Sequence, residues 1–314
     1  LIALDEIRRA RERIADTVVR TPLVRFGVNA DIWLKLENFQ PIGSFKLRGA
    51  LSAIRAASAS ELKHGVVTAS AGNMAQGVAW AAREAGVPAR IIVPESAPRA
   101  KVEAIEEYGG EVISVPHEVW WQAMVERRYE GVEGLFVHPV EDEEVMAGNG
   151  TIGLELVEDL DGFDTVIIPW GGGGLTTGIA SAVKALRPDV RIATAEPETA
   201  APLHAALHAG EPVEIDYRPS FVDGAGGRAL LPTMWDRARE VVDESYAIPL
   251  ADVAAAMRLL ATRNHVVTEG AGALALAAAL RRHGLGTEDR CVCIVSGGNI
   301  DSAVFARVLL GETP

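Results

Sequence analysis

From Gly65 to about residue 137 the chain repeats one pattern. Short apolar runs at 65–69, 89–93, 111–115 and 135–137 are separated by helical periods at about 74–85, 99–108 and 118–130. Gly86, Pro88, Gly109 and Gly110 fall at the ends of these segments, where helices stop and the chain turns. Parallel strands need a crossover, and a strand–helix–strand crossover of this length is right-handed, so the pattern commits the segment to an open parallel sheet. A second series begins near Met146, with a helix to about Asp159, a strand at 165–169, a glycine run, a helix at 175–186 and a strand at 190–195. Helices at about 251–263 and 271–282, a strand at 291–295 and a closing helix from Asp301 complete it. Ahead of both series, residues 4–16 carry alternating charge with Ile7, Ala10 and Ile14 on one side, a surface helix, and 32–36 reads as a short strand. Residues 211–247, rich in Pro, Gly and acidic side chains, follow no period, and neither a repeat nor a low-complexity linker is visible. The predicted fold is α/β with two open parallel-sheet domains. A small domain at 65–145 is inserted into a larger one made of 1–64 and 146–314, with a cleft between them.

Composition narrows the partners. With 43 acidic and 30 basic residues the net charge is −13, which lacks the basic footprint that nucleic acid or an anionic membrane surface requires. Apolar runs such as Ala271 to Leu280 are too short and too alanine-rich to span a bilayer, no signal segment opens the chain, and the absent starting Met points to trimming. The two cysteines, Cys291 and Cys293, alternate on an apparent strand and face one buried side, which suits a reducing cytoplasm rather than a disulfide framework.

Chemistry concentrates in four places. In Leu36–Ala50, Pro41 and Gly43 mark a turn, Ser44 is an N-cap, and Leu47, Ala50, Leu51 and Ile54 take helical spacing from about Phe45. Lys46 then sits in the first turn beside the small residues Gly49, Ala50, Ala53 and Ala57. Burial and the positive end of the helix dipole both lower its pKa toward the neutral, nucleophilic amine; the ordinary alternative is a solvated lysine near a cap. The other three are strand-to-helix junctions at the carboxyl ends of parallel strands, where open sheets bind ligands. Ser70-Ala71-Gly72-Asn73 offers backbone amides to a carboxylate and a donor on Asn73. Gly171, Gly172, Gly173 and Gly174 let the backbone close on a phosphate. A dinucleotide motif fails there because Thr176 and Thr177 stand where glycine is needed, and no P-loop lysine follows, so a phosphate monoester is expected. Ser296-Gly297-Gly298-Asn299 presents a hydroxyl suited to a ring nitrogen, although alone it is no more than a turn.

In order and spacing these segments, Gly-Ser-Phe-Lys-Leu-Arg-Gly-Ala, Ser-Ala-Gly-Asn, the glycine run and Ser-Gly-Gly-Asn, resemble the fold type II pyridoxal-phosphate enzymes of the threonine/serine dehydratase (ammonia-lyase) family. The resemblance extends from about Thr21 to Asp301. It implies a tryptophan synthase β-like fold with pyridoxal 5'-phosphate in the cleft, held by Lys46 as a Schiff base. The phosphate would lie on Gly171 to Gly174, the phenolic oxygen on Asn73, and the pyridine nitrogen on Ser296 with Glu269 nearby; read without the family, Glu269 is an acid at a helix start. Ser70 and the amides of Ala71, Gly72 and Asn73 would bind the substrate carboxylate. The implied reaction removes the β-hydroxyl and amino groups of L-threonine or L-serine to give a 2-oxo acid and ammonia. Lys46 acts as base toward the Cα proton, a role worth about 10²- to 10⁴-fold. The alternatives are a sister activity on 3-hydroxyaspartate or phenylserine, a racemase, or a non-catalytic protein that senses pyridoxal phosphate or an amino acid. A small-molecule amino-acid substrate and a homo-oligomer, a dimer, are the expected partners.

The chain also departs from that family. Racemases of the group carry a serine at the place of Ala71, so racemisation is expected to be minor. Met74 stands where dehydratases usually show His, which bears on the pocket and the preferred substrate. Some members hold a cation through a Glu, a carbonyl and an Asp; Glu196 and Ala200 match but Pro202 does not, so no metal is expected. No room remains after the last motif for a regulatory domain, and feedback inhibition through one is not expected. His204 and His208 have the spacing of a metal pair but lack a third ligand, Trp120 and Trp121 read as packing residues, and Asp223-Gly224-Ala225-Gly226-Gly227 is expected to approach the substrate from the larger domain.

Overall fold

A computed structural model of the chain describes residues 1–27, 31–284 and 289–314. The chain runs α1 (Leu4–Ile14), β1 (Leu23–Arg25), β2 (Ile32–Leu36), α2 (Lys46–Ala56), β3 (Val66–Ala69), α3 (Asn73–Ala85), β4 (Ala89–Pro94), α4 (Arg99–Glu107), β5 (Gly110–Val115), α5 (His117–Glu126) and β6 (Leu135–Phe136). It continues through α6 (Glu143–Asp159), β7 (Thr165–Pro169), α7 (Gly174–Leu186), β8 (Arg191–Pro197), α8 (Pro202–Ala209), α9 (Pro232–Val241), β9 (Glu244–Ile248), α10 (Leu250–Leu259), α11 (Gly270–Gly284), β10 (Cys291–Val295) and α12 (Ser302–Leu309).

The strands form two sheets. One is four-stranded and parallel, in the order β5-β4-β3-β6; the other has six strands in the order β1-β2-β10-β7-β8-β9. The larger sheet is parallel except for β1, which pairs antiparallel with β2 at one edge. Its central strands are apolar on both faces because both are covered. Along β10, Cys291, Cys293 and Val295 face the cluster that includes Leu274 and Leu276 of α11, while Val292 and Ile294 face the one that includes Ile152 of α6 and Ile179 of α7. In the small sheet Val66 and Ile91 pack with Leu47 and Leu51 of α2 and Val78 of α3, and Val67 and Ile92 pack with Ala123 and Met124 of α5. No helix among the described residues is long and apolar enough to cross a membrane.

Several elements depart from the sequence expectations for local reasons. α5 stops at Glu126 rather than near residue 130, because Arg127 turns into the left-handed region at φ 55°. α6 begins three residues before Met146, since the Asp142 side chain accepts the amides of Glu144 and Val145 and caps it. The aperiodic segment 211–247 contains α9 and most of β9. β9 is half-buried along most of its length, so it lacks a continuous apolar run. The antiparallel β1, three residues long, was too short to stand out. Trp121 is 47% exposed and packs less than expected, whereas Trp120 joins the cluster under α5.

α2 is anchored by a buried charge network. The Arg48 guanidinium donates to both oxygens of Glu37 at 2.8 Å and to the oxygens of Glu155 at 2.7 and 3.0 Å, and Lys35 pairs with Glu155 at 2.5 Å. Arg48, Glu37 and Lys35 are completely buried. Burial opposes the Arg48 charge, but the two carboxylates outweigh it and raise its pKa further, so the ion stays charged. Lys46 lies two residues earlier on the same helix.

Candidate active site

The carboxyl ends of β3, β7 and β10 lead directly into Ser70–Gly72, Gly171–Gly173 and Ser296–Asn299, the loops singled out from the sequence. The start of α2 is tied to the third of these. Phe45 N donates to Ser296 O at 3.1 Å, Ser44 pairs with Gly297 in a single antiparallel bridge, and Asn299 Nδ2 donates to Ile42 O at 2.8 Å. The helix begins at Lys46, one residue later than expected, with Ser44 Oγ accepting the Lys46 amide at 3.4 Å.

Lys46 is half-buried, but its amine reaches inward and donates to Pro139 O at 3.1 Å. Burial lowers its pKa from 10.5 to about 8, against a smaller upward pull from the Glu269 carboxylate. A free-amine fraction is therefore present near neutral pH, as nucleophilic chemistry requires. Its contact with the Phe45 ring, 5.2 Å from amine to centroid, adds apolar surroundings.

The first and third loops meet through side chains. Asn73 Nδ2 donates to Glu269 Oε1 at 2.9 Å, and Asn73 Oδ1 accepts from Asn299 Nδ2 at 2.8 Å. Glu269 also has Gly297 as a close neighbour: a Cβ on that glycine would lie 2.5 Å from Glu269 Oε1. Burial raises the Glu269 pKa to about 7, helped by repulsion from Asp223 and opposed by Lys101, Asn73 and Lys46. Asp223 pairs with Lys101 at 2.6 Å, and Gly224 lies against Glu269, so the segment 223–227 does reach this site. Ser70 Oγ accepts the Gly72 amide at 3.3 Å, while the amides of Ala71 and Asn73 donate to no protein group among the described residues. Met74 is 2% exposed within the apolar cluster of Ile42, Leu47 and Val78.

The glycine loop is shaped by close approach. Gly173 adopts φ +99°, and a Cβ there would come within 2.5 Å of the Trp170 ring; at Gly172 one would collide with the Val140 side chain. None of the amides of Gly171, Gly172, Gly173 and Gly174 donates to a protein group among the described residues, which leaves them free for an anion at the start of α7. Ser296, 3% exposed, likewise makes no hydrogen bond through its hydroxyl to any described protein group. These unsatisfied donors, with the Lys46 amine, fit a phosphorylated aromatic aldehyde: an anion for the amides, a carbonyl carbon for the amine and a ring nitrogen for the hydroxyl.

Other candidates fall elsewhere. Glu196 is buried, with Oε1 and Oε2 accepting the Leu203 and His204 amides at 3.2 and 2.8 Å, and burial raises its pKa to about 8. His204 Nδ1 lies 2.9 Å from Ser245 O and His208 is exposed. No group of three or more potential metal ligands occurs among the described residues. Sequence reasoning missed the Pro139 carbonyl, Val140 and the roles of Arg48 and Asn299 as ties. A histidine followed by proline at the end of a short apolar run was the available signal for the first two.

Two open parallel sheets, with a pKa-lowered lysine and free loop amides gathered where strands β3, β7 and β10 end, define an α/β enzyme built to bind a phosphorylated cofactor. The chain belongs to the pyridoxal-phosphate-dependent enzyme family, whose model matches residues 14–297. An L-threonine ammonia-lyase from Thermotoga maritima is 38% identical over 98% of this chain and 78% of its own length. Among solved structures, maize serine racemase superposes with a TM-score of 0.89 at 34% identity, covering 98% of this chain and 97% of that one. A threonine deaminase from T.th. superposes with a TM-score of 0.84 at 35% identity, covering 95% and 99%.

Proposed function

We propose that this protein is a pyridoxal-phosphate-dependent ammonia-lyase that removes the β-hydroxyl and amino groups of L-threonine or L-serine, giving a 2-oxo acid and ammonia. The observation that carries the proposal is a lysine amine of lowered pKa at a helix start tied to the carboxyl end of β10, with a Ser70–Asn73 loop that carries no second proton donor at Ala71. The bound cofactor supplies an electron sink for the charge left when the Cα proton departs. Lys46 would hold the cofactor covalently; once displaced by substrate, its amine takes the Cα proton, with the Pro139 carbonyl orienting it.

The free amides of Gly171 to Gly174 would hold the phosphate, and the Ser296 hydroxyl would bond the ring nitrogen. Asn73 donates one amide proton to Glu269, and the other would be available to the ring oxygen. The amides of Ala71 and Asn73, with Ser70 and Gly72 shaping the turn, receive the substrate carboxylate. The Ser296 hydroxyl, unlike a carboxylate, would not hold a proton on a ring nitrogen bonded to it. Glu269, with a pKa near 7, accepts from Asn73 and would influence the bound ring through it.

Maize serine racemase, at a TM-score of 0.89, supports a second reading as a racemase. That reaction needs an acid on the far face, and Ala71 carries none. We further propose a small domain at 65–145 inserted into a larger one of 1–64 and 146–314, each carrying one sheet, and a cytoplasmic homodimer; sedimentation of the holoenzyme tests the dimer. The activity is tested by incubating purified holoenzyme with L-threonine, L-serine and a panel of β-substituted amino acids, measuring keto acid, ammonia and D-serine. Keto acid from L-threonine or L-serine without D-serine is expected. Turnover of 3-hydroxyaspartate or phenylserine alone would move the assignment to a sister lyase. Full cofactor binding without Cα proton exchange for any amino acid would mark a sensing protein.

A further inference from the structure

His138 has no part in the chemistry above, yet it is 1% exposed and lies where the chain leaves the small sheet for α6. Pro139 has no amide to donate, so the next two amides are those of Val140 and Glu141. Both donate to His138 Nδ1, at 3.1 and 2.8 Å. Side-chain acceptance of the amides two and three residues on is how Asn and Asp tie turns. A ring nitrogen accepts only when unprotonated. Burial, the nearby Arg127 cation and Lys46 push the His138 pKa down to about 4 against weaker opposing pulls from Glu141 and a backbone hydrogen bond to Met124, so the ring is neutral near pH 7, and with Nδ1 accepting its proton is on Nε2. That second nitrogen lies 3.7 Å from Glu141 Oε2.

The turn tied by this one atom touches two parts of the cofactor site that come from different elements, Lys46 at the start of α2 and the glycine loop before α7. Pro139 O accepts the Lys46 amine at 3.1 Å. Val140 presses on Gly172 so closely that no Cβ fits there, and Val140 O would lie 2.9 Å from a Cβ on Gly174. Asp142 caps α6, whose Val145 side chain would lie 2.7 Å from a Cβ on Gly49 of α2. We propose that His138 is the positioning residue that sets the 139–142 turn against both the cofactor-binding lysine and the phosphate-binding glycines, acting through its Nδ1 acceptor and not through proton transfer. The proposal rests on pyridoxal phosphate binding at Lys46.

The test uses His138→Asn, whose Oδ1 takes the place of Nδ1, and His138→Phe, which keeps the ring but not the acceptor. Pyridoxal phosphate is titrated into each apoprotein by its visible absorbance on the lysine, and apoprotein thermal unfolding is measured in parallel. Phe is expected to bind the cofactor at least about tenfold more weakly than the parent, and Asn within about threefold, although Asn leaves a cavity and unfolds at the lower temperature. Cofactor affinity would then run opposite to stability, which a packing role alone does not produce. Phe binding like the parent, or both variants losing affinity in step with stability, would overturn the proposal. If Phe does not fold, His138→Gln, whose amide overshoots the Nδ1 position, takes its place with the same expectations. A parent apoprotein that takes up no cofactor sinks the site assignment and this proposal together, whereas uptake lost in Lys46→Met but unchanged in His138→Phe sinks only the role of His138.

Discussion

Removing the amine from Lys46 should stabilise the apoprotein at neutral pH. The pKa falls from 10.5 to about 8 on folding, so the folded state disfavours the charged form by about 3 kcal/mol. Because the residue is half-buried rather than sealed, solvent screening reduces this to roughly 1.5–3 kcal/mol. Below pH 8 both states carry the proton and the folded state bears the whole penalty. Between 8 and 10.5 the unfolded chain keeps its proton while the folded chain has released it, so stability rises with pH across that window and the penalty is gone above it. Lys46→Met keeps the length and apolar stem without the charge. Urea unfolding of the two apoproteins at pH 7 should find the Met variant more stable, less whatever the lost bond to Pro139 O contributes, about 1 kcal/mol. Raising the pH to 10.5 should shift the difference toward the parent by roughly 1.5–3 kcal/mol. A shift below about 0.5 kcal/mol, or one of opposite sign, would refute the lowered pKa. The rate at which apoprotein captures pyridoxal phosphate offers an independent check: it should fall about tenfold per pH unit below 8, and a midpoint near 10.5 would mark an ordinary solvated lysine.

Gly172→Ala would drive a methyl group into Val140, and with about 1–3 kcal/mol of overpacking it should weaken cofactor binding by roughly tenfold or more while leaving the small sheet folded, checked by cofactor titration and far-ultraviolet circular dichroism. Arg48→Met leaves buried Glu37 without its paired cation and Glu155 with Lys35 alone, and a loss of about 3–5 kcal/mol is expected in denaturant titration; a loss under about 1 kcal/mol would mean that Glu37 simply takes up a proton. Glu269→Gln removes a carboxyl whose pKa is raised to about 7. The charged form is disfavoured in the fold, so the parent loses stability as pH rises from 4.5 to 7, and the variant should lack that loss, which thermal unfolding at the two pH values reads directly. Chelation of divalent cations should leave turnover unchanged, since both Glu196 oxygens already accept helix amides and Pro202 offers no carboxylate; loss of most activity on chelation, restored by a cation, would contradict this.

The alternation of short apolar runs with helical periods was enough to specify parallel sheets, and with them the three strand ends at which the site is proposed, because periodicity and glycine punctuation are local properties readable along the chain. Lys46, Ser296 and the four glycines were legible for the same reason: each stands in a short segment whose composition departs from what packing alone would select. What the tertiary structure decided is which distant residues meet. Asn73 and Glu269, 196 positions apart, share a hydrogen bond, and Lys46 meets the Pro139 carbonyl 93 positions away. The lysine's pKa depends on that burial, and the carbonyl belongs to a turn whose apolar and polar residues follow no period. The burial of Arg48 follows from Glu37 and Glu155, which close around it from other segments. β9 was invisible because a half-buried edge strand needs no continuous apolar run. Local sequence sets which backbone conformations are favoured, while burial and charge pairing depend on sheet order and helix packing, which join residues that no local window contains.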